Sequence, residues 1–145
     1  MYKHILVPVD GSKLSDRAIK EAVGLAGGTG AKVTLFHVVP VYTGAYYAEN
    51  AVMMRQYNSA EFAAVSAEQA QKVLERAARL ARITVTTLHA ISDLPYDAIV
   101  KQAAKGKHDL IVMASHGRRG VAGFLLGSET QKVLTHSKVP VLVVR

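Results

Sequence analysis

A glycine-rich loop stands directly before an apparent helix start in the second half of the chain. Four glycines fall within residues 117–127, and a helix-like segment opens at residues 128–130. Glycine lets a backbone approach an oxygen atom closely, and the free N–H groups of a helix start attract negative charge. The pattern indicates a phosphate site, although glycine content alone fits a plain surface turn equally well.

Asp10 follows the apolar run "HILVPV" at residues 4–9 and precedes Gly11. At the exit of a strand, a carboxylate can accept two hydroxyl hydrogens from a ribose diol, or bind Mg²⁺ through water. An Asp-Gly pair is equally typical of a turn with no ligand. The residues themselves leave both interpretations open.

Ser115 and His116 invite comparison with a nucleophile and its base. However, the G-x-S-x-G elbow is absent, and adjacent side chains rarely face each other. We therefore expect His116 to form hydrogen bonds or face phosphate, and not to act as a general base. His4 and His37 lie in strand-like segments without metal-ligand spacing, which predicts hydrogen-bonded structural histidines.

Composition excludes several function classes. The chain has no cysteine, so disulfides, thiolate nucleophiles and cysteine-based zinc sites are absent. The net charge of +7 favours anionic partners, but the basic residues are scattered and no run exceeds the pair Arg118-Arg119. Nucleic-acid binding is therefore not expected. Neither a G-x-G-x-x-G turn after the first strand nor a G-x-x-x-x-G-K-[ST] loop occurs, which argues against a conventional Rossmann or P-loop nucleotide site.

Hydrophobic periodicity predicts strands that alternate with helices. Strands are expected at residues 4–9, 32–39, 83–91, 109–114 and 139–144. Four helices are expected between them. The first follows Leu14 and Ser15 and stops at Gly27-Gly28, and the second opens with an Asn58/Glu61 capping box and runs to about Arg82. The third runs from Pro95 to Gly106, and the fourth opens with a Ser128/Gln131 capping box. This order predicts a single doubly wound α/β domain over residues 1–145, with a five-stranded parallel sheet whose third strand is the more exposed.

Residues 41–57 form the one long irregular segment and carry four of the six tyrosines. Connections of this length are uncommon unless they are functional, which suggests a lid or a partner surface. Extension of the following helix over residues 46–57 is an equally good interpretation.

No stretch of the sequence reaches the roughly 20 apolar residues that a membrane-spanning helix needs. The opening "MYKHILVPVD" leads straight into a strand-like segment and does not resemble a signal peptide. We therefore expect a soluble, cytoplasmic protein with no membrane partner.

Three segments of the chain strongly resemble the universal stress protein family: "YKHILVPVDGS", "DLIVMASHG" and "LLGSETQKVLTHSKVPVLVV". The nucleotide-binding branch of that family has the pattern G-x2-G-x9-G-[ST]. Here the pattern falls on Ala114, Gly117, Gly127 and Ser128, so alanine replaces its first glycine. Alanine is compatible with an extended strand exit, and a modest effect is expected unless the position needs a positive φ or touches the ribose.

This resemblance implies a Rossmann-like fold of the adenine nucleotide alpha hydrolase type, with strand order 3-2-1-4-5. It also implies that ATP binds, with Mg²⁺ held through Asp10 if a metal accompanies it and with no metal bound by protein ligands alone. The implied site places the base near Val9, Val38 and Met113, the ribose near Asp10 and Ala114, and the phosphates over Gly117, Gly127, Ser128 and Glu129, with Pro8 and His116 beside them.

The implied strand order puts the segment from Val139 to Val144 at a sheet edge. This segment carries no charge before Arg145, and a bare apolar edge invites pairing with another strand. Members of the family form dimers in this way, so a homodimer through residues 139–144 is expected.

The preferred interpretation is an ATP-binding regulatory protein of the stress response, which changes conformation and binds protein partners of unknown identity. A dedicated enzyme is not expected, although slow ATP hydrolysis with Asp10 and Mg²⁺ is compatible with the residues. The alternative is a nucleotide-independent interaction module of the same fold that uses residues 42–57. An ATP-dependent ligase or transferase ranks last, because the chain leaves little room for a second substrate.

Overall fold

Strands and helices alternate along the chain as the hydrophobic pattern predicts. The elements are β1 (His4–Pro8), α1 (Lys13–Thr29), β2 (Lys32–Val39), α2 (Ser59–Ala81), β3 (Thr86–Ile91), α3 (Pro95–Lys105), β4 (Leu110–Ala114), α4 (Ser128–His136) and β5 (Val141–Val144). The structure is a computed structural model that describes residues 1–40, 59–117 and 126–145. The segment 41–57, Asn58 with its predicted capping box, Arg118-Arg119 and the glycines at 120 and 123 lie outside the described residues.

All four strand pairings are parallel, and the strands lie in the order β3-β2-β1-β4-β5. The doubly wound α/β fold and the expected strand order are therefore confirmed. The order reverses between β1 and β4, because β1 pairs with β2 on one side and with β4 on the other. Loops that leave the carboxyl ends of β1 and β4 consequently diverge above the sheet, where ligands bind in folds of this type.

Both faces of the sheet are apolar because the central strands are buried on both sides. Alternate residues divide between two clusters. Ile5, Val7, Val33, Leu35, Leu110 and Val112 pack beneath α1 and α2, whereas Leu6, Phe36, Ile111 and Met113 pack beneath α3 and α4. This two-sided burial fixes the register of the central strands, since a slip by one residue would exchange the two sets.

The edge strand β3 is more exposed than the central strands, as its partial alternation predicts. Five of its six residues are exposed, and only Ala90 is half-buried. The strand begins at Thr86 and not at Ile83, because Arg82 takes a left-handed conformation with φ 55° that separates α2 from the strand. At the ends of β1, β4 and β5 the observed strands are one or two residues shorter than the predicted ones.

The start of α1 differs from the prediction. Ser12 is the N-cap, and its hydroxyl accepts a hydrogen bond of 3.1 Å from the N–H of Ser15. Ser15 therefore lies inside the helix and is buried, and does not precede it.

The end of α1 also differs, because the helix continues through Gly27-Gly28 to Thr29. It ends at Gly30, whose φ of 70° is left-handed and whose N–H donates to the carbonyl of Ala26 at 2.8 Å. Burial of Ala22 and Ala26 outweighs the roughly 1 kcal/mol by which each internal glycine disfavours a helix. Tertiary packing thus extends the helix beyond its local stop signal.

A buried histidine cluster lies at the amino end of the sheet, opposite the polar loops. His108 is buried, and its ring stacks on that of His4 at a centroid distance of 3.9 Å. His4 Nε2 lies 2.9 Å from Thr34 Oγ1, whereas neither ring nitrogen of His108 has a hydrogen-bond partner among the described residues. Burial, followed by the charge of His4, lowers the pKa of His108, and nearby backbone carbonyls only partly oppose this shift. His108 is therefore a neutral core histidine.

Asp109 closes the same end of the sheet by joining β4 to β1. Its two carboxylate oxygens accept hydrogen bonds from the backbone N–H groups of Lys3 at 2.8 Å and His4 at 2.9 Å. Partial burial acts to raise the pKa of Asp109, but these backbone hydrogen bonds outweigh it and the net pKa is lowered. Asp109 is thus held ionised beside the histidine pair.

We predict that acid destabilises the fold through His108. Because its folded-state pKa lies below the ordinary value of 6.5, the unfolded chain binds a proton that the folded chain excludes. The contribution of His108 to stability is fully present above pH 6.5 and falls as the pH drops below it, with a slope approaching about 1.4 kcal/mol per pH unit. Urea unfolding from pH 8 to pH 5 should show His108→Leu losing less stability on acidification than the wild type.

His89→Gln is the matched control, because His89 is an exposed histidine on β3. Its free energy of unfolding should follow the pH profile of the wild type. Parallel profiles for all three proteins would contradict the assignment.

Candidate functional site

Asp10 stands at the carboxyl end of β1 in a tight turn. Its Oδ1 accepts a hydrogen bond of 2.9 Å from the N–H of Ser12, while Gly11 has a φ of 79° that favours glycine. The hydroxyl of Ser12 in turn caps α1. Asp10 therefore does stabilise a turn. The turn orients its carboxylate at the carboxyl end of the sheet, where the strand order reverses.

Gly117 lies directly against that carboxylate. A Cβ atom built on Gly117 would stand 2.8 Å from Oδ2 of Asp10, closer than real Cβ contacts allow. The φ of Gly117 is not in the left-handed region, so limited space and not backbone strain favours glycine here, because a larger residue would have to displace the Asp10 carboxylate. The loop leaving β4 thus reaches the turn leaving β1, with Gly117 of one against the Asp10 side chain of the other.

Gly127 brings the start of α4 to the exit of β4. Its N–H donates to the carbonyl of Ser115 at 2.7 Å, and a Cβ on Gly127 would lie 3.0 Å from Cα of His116. Ser115 N–H donates in turn to the carbonyl of Val144 in β5 at 2.8 Å. Backbone hydrogen bonds therefore connect the two ends of the glycine loop to each other and to the sheet.

Thr130 also contributes to the junction of β1, β4 and α4, although sequence analysis did not predict it. Its hydroxyl donates a hydrogen bond of 3.0 Å to the carbonyl of Ala114, and both residues are buried. A threonine in the first turn of a helix gives no signal by itself, because its partner lies 16 residues earlier in the chain. This contact fixes the height of α4 relative to β4.

The predicted capping box of Ser128 and Gln131 is wrong. Gly127 is the N-cap and supplies no side chain, and Ser128 is the first residue of α4. The amide nitrogen of Gln131 donates instead to the carbonyl of Leu126 at 3.0 Å. The N–H groups of the first helical turn therefore have no side-chain cap of their own among the described residues, and they carry the positive end of the helix dipole.

Ser115 and His116 do approach each other, contrary to expectation. Ser115 Oγ lies 3.3 Å from Nδ1 of His116, because the chain turns sharply at the end of β4. Ser115 is only 6% exposed, however, which places its hydroxyl out of reach of a substrate carbonyl. The contact gives His116 a hydrogen-bond partner, and the phosphate-facing role stays a prediction. His37, on β2, forms the expected hydrogen bond through Nδ1 to the carbonyl of Val9 at 2.7 Å.

The residues implied for the base do not share one face. Val9 is buried in the cluster beneath α1 and α2, whereas Met113 and Val38 pack in the cluster beneath α3 and α4. Pro8 ends β1 and is half-buried. A planar ligand at this end of the sheet would therefore meet Val38 and Met113 on one face, whereas the Val9 side chain lies on the other.

Ala114 belongs to β4 and pairs with Val144 of β5. Among the described non-glycine residues, a positive φ occurs at Arg82 and Lys107, and Ala114 does not have one. The alanine methyl group is thus accommodated without backbone strain, as expected for a strand exit.

Glu129 follows Ser128 in the first turn of α4, but its side chain turns towards α3. One carboxylate oxygen accepts a hydrogen bond of 2.8 Å from the N–H of Tyr96, and the other lies 3.0 Å from Nζ of Lys132. Only the backbone of Glu129 therefore faces the loop junction.

The described part of the chain contains neither a metal-binding cluster of side chains nor a membrane-spanning helix. No group of three or more histidine, aspartate or glutamate side chains there could hold a metal ion. Within the same residues, no helix is long and apolar enough to cross a membrane.

Comparison with known proteins decides the family. The profile of the universal stress protein family matches residues 1–145. The chain belongs to the universal stress protein family. A universal stress protein encoded beside the QAH/OAS sulfhydrylase of Thermus aquaticus is 34% identical over 148 residues, covering all of both chains.

Solved structures share the fold. The hypothetical protein MJ0577 superposes with a TM-score of 0.79 at 28% identity, covering 99% of this chain and 96% of that one. A universal stress protein solved in complex with cAMP gives a TM-score of 0.62 at 27% identity, covering 99% and 97%. In this universal stress protein, the G-x2-G-x9-G-[ST] pattern spans 15 residues of sequence, yet Gly127 returns to the end of β4 while Gly117 reaches Asp10 at the end of β1.

Replacement of Thr130 by valine should loosen this junction. Valine has nearly the same shape but leaves the buried carbonyl of Ala114 without its donor, which should lower the free energy of unfolding by about 1–2 kcal/mol. Thr135→Val is the matched control, because Thr135 makes the same kind of bond to the carbonyl of Gln131 on the exposed side of α4. Chemical denaturation should give a change within about 0.5 kcal/mol for the control. Equal losses in the two variants would show that Thr130 has no special role.

Proposed function

We propose that this universal stress protein binds an adenine nucleotide, and specifically ATP, at the junction of β1, β4 and α4. The observation that carries the proposal is the approach of Gly117 to the Asp10 carboxylate beside the uncapped start of α4. The complex of a family member with cAMP supports an adenine nucleotide as the ligand class.

Each part of such a nucleotide has a suitable partner at the junction. Phosphates would lie over Gly117, Gly127 and Ser128, where N–H groups and the helix dipole favour negative charge. Asp10 would accept the ribose hydroxyls, or hold Mg²⁺ through water if the metal accompanies ATP. The half-buried Val38 and the edge of Met113 would contact the base.

The proposed role is regulatory and not that of a dedicated enzyme. The side chains at the junction include no exposed pair of nucleophile and base among the described residues, and Ser115 is buried. Bound ATP would instead alter a surface for protein partners in the cytoplasmic stress response.

Equilibrium dialysis with labelled ATP tests the proposal. Gly117→Val should weaken binding by about tenfold or more, because the new side chain displaces the Asp10 carboxylate and covers the backbone; this corresponds to ~1.4 kcal/mol. Ser128→Ala should weaken binding by about threefold to tenfold through loss of one hydroxyl group near the phosphates.

Gly24→Val provides the matched control, since a Cβ on Gly24 would meet nothing within 4 Å and the residue lies on the exposed side of α1. It should bind ATP as the wild type does. Absence of saturable binding to the wild type at millimolar ATP would reject the proposal and favour a nucleotide-independent interaction module.

We also propose that two copies of the chain pair through β5. In the structure β5 is an edge strand that pairs only with β4 in the described sheet. The carbonyls of Pro140 and Val144 accept hydrogen bonds from the β4 side, which leaves the backbone of Val141 and Val143 directed outwards. Leu142 is exposed, so the edge offers both backbone groups and apolar surface to a second copy.

Sedimentation at micromolar concentration tests the dimer. Val143→Pro removes one outward N–H without disturbing a bond to β4, and should shift the protein from a dimer to a monomer of 15.6 kDa. Val143→Ala keeps that N–H and should remain dimeric. A monomeric wild type would refute this mode of assembly.

A further inference from the structure

The start of α3 lacks a cap in its own sequence. Its N-cap position is Leu94, which has no polar side chain, and Pro95 and Tyr96 follow as the first two helical residues. A cap normally supplies an oxygen to the N–H of the second or third residue of the helix. The N–H of Tyr96 must therefore find its acceptor elsewhere in the molecule.

Glu129 of α4 supplies that acceptor from a different helix. Its Oε2 lies 2.8 Å from the N–H of Tyr96, at the position that a local cap would occupy. A carboxylate at this place also interacts favourably with the positive end of the α3 dipole. The first turn of α3 is thus capped by the second residue of α4.

Lys132 and Tyr96 complete the contact. Lys132 Nζ lies 3.0 Å from the other carboxylate oxygen of Glu129 and 5.4 Å from the centre of the Tyr96 ring. The ring of Tyr96 also lies 5.1 Å from that of His136 at the end of α4. These contacts direct the negative charge of Glu129 away from the loop junction and partly neutralise it.

We propose that Glu129 is a positioning residue that transmits occupancy of the α4 start to α3. The inference rests on the proposed function, since it requires phosphate at the first turn of α4. Phosphate bound there restrains the backbone of Ser128 and Glu129, which holds the Glu129 carboxylate more firmly on the N–H of Tyr96. By reciprocity, a firm cap on α3 strengthens nucleotide binding. The site is thereby linked to α3, whose outward face carries the exposed Lys101 and Lys105.

Amide hydrogen exchange followed by NMR tests this coupling at a single backbone group. In the wild type, saturating ATP should slow exchange of the Tyr96 N–H by about fivefold or more. In Glu129→Ala, ATP should still bind, but the change at Tyr96 should disappear and the affinity should fall by about fivefold. Glu129→Gln keeps an amide oxygen as acceptor, so it should restore most of both effects.

The sign of the affinity change separates coupling from simple repulsion. If the charge of Glu129 acted only by repelling phosphate, both variants at Glu129 would bind ATP more tightly than the wild type. Glu68→Ala is the matched control, because Glu68 pairs with Lys72 one turn further along an exposed face of α2. It should leave ATP affinity and Tyr96 exchange unchanged.

Lys132→Met provides a second variant that keeps the bond between Glu129 and Tyr96, and it should retain the response of Tyr96 to ATP. An unchanged Tyr96 signal in a wild type that binds ATP would overturn the coupling and leave the proposed function standing. A Glu129→Ala variant whose Tyr96 responds to ATP as in the wild type would also overturn the coupling alone. A wild type that binds no nucleotide would overturn both proposals.

Discussion

Parallel pairing of β1 with β4 at the centre of the sheet is the constraint on which the candidate site depends. It sets the exits of two strands side by side although they lie about a hundred residues apart in sequence. Gly117 can then meet Asp10, and the start of α4 can return to the carbonyls of Ala114 and Ser115. Without that pairing, the same residues would form two unrelated turns.

The two ends of the sheet have opposite chemistry. At the carboxyl end, the candidate site consists of backbone N–H groups and the Asp10 carboxylate, beside loops that contain glycine. At the amino end, Asp109 holds two N–H groups and the neutral His108 lies buried against His4. This division places the pH-sensitive group about a full strand length from the proposed nucleotide site.

Local pattern predicted the fold well because the central strands are buried on both faces and leave short, continuous apolar runs. It failed at element ends, where tertiary contacts compete with local signals. Gly27-Gly28 did not stop α1, since packing of Ala22 and Ala26 carries the helix on to Gly30. Ser128 did not cap α4, because the approach of Gly127 to Ser115 sets the helix start one residue earlier.

Sequence alone was enough to predict the order of strands and helices, the pattern positions Gly117, Gly127 and Ser128, and the family. The first follows from hydrophobic periodicity and the others from resemblance to known sequences, and both kinds of signal lie in residues near each other in the chain. Three features became visible in the folded chain: Thr130 donates to Ala114, Val9 and Met113 lie on opposite faces, and Glu129 caps α3. Each of these depends on residues distant in the chain, and a side chain gives no local sign of a partner that folding alone brings near.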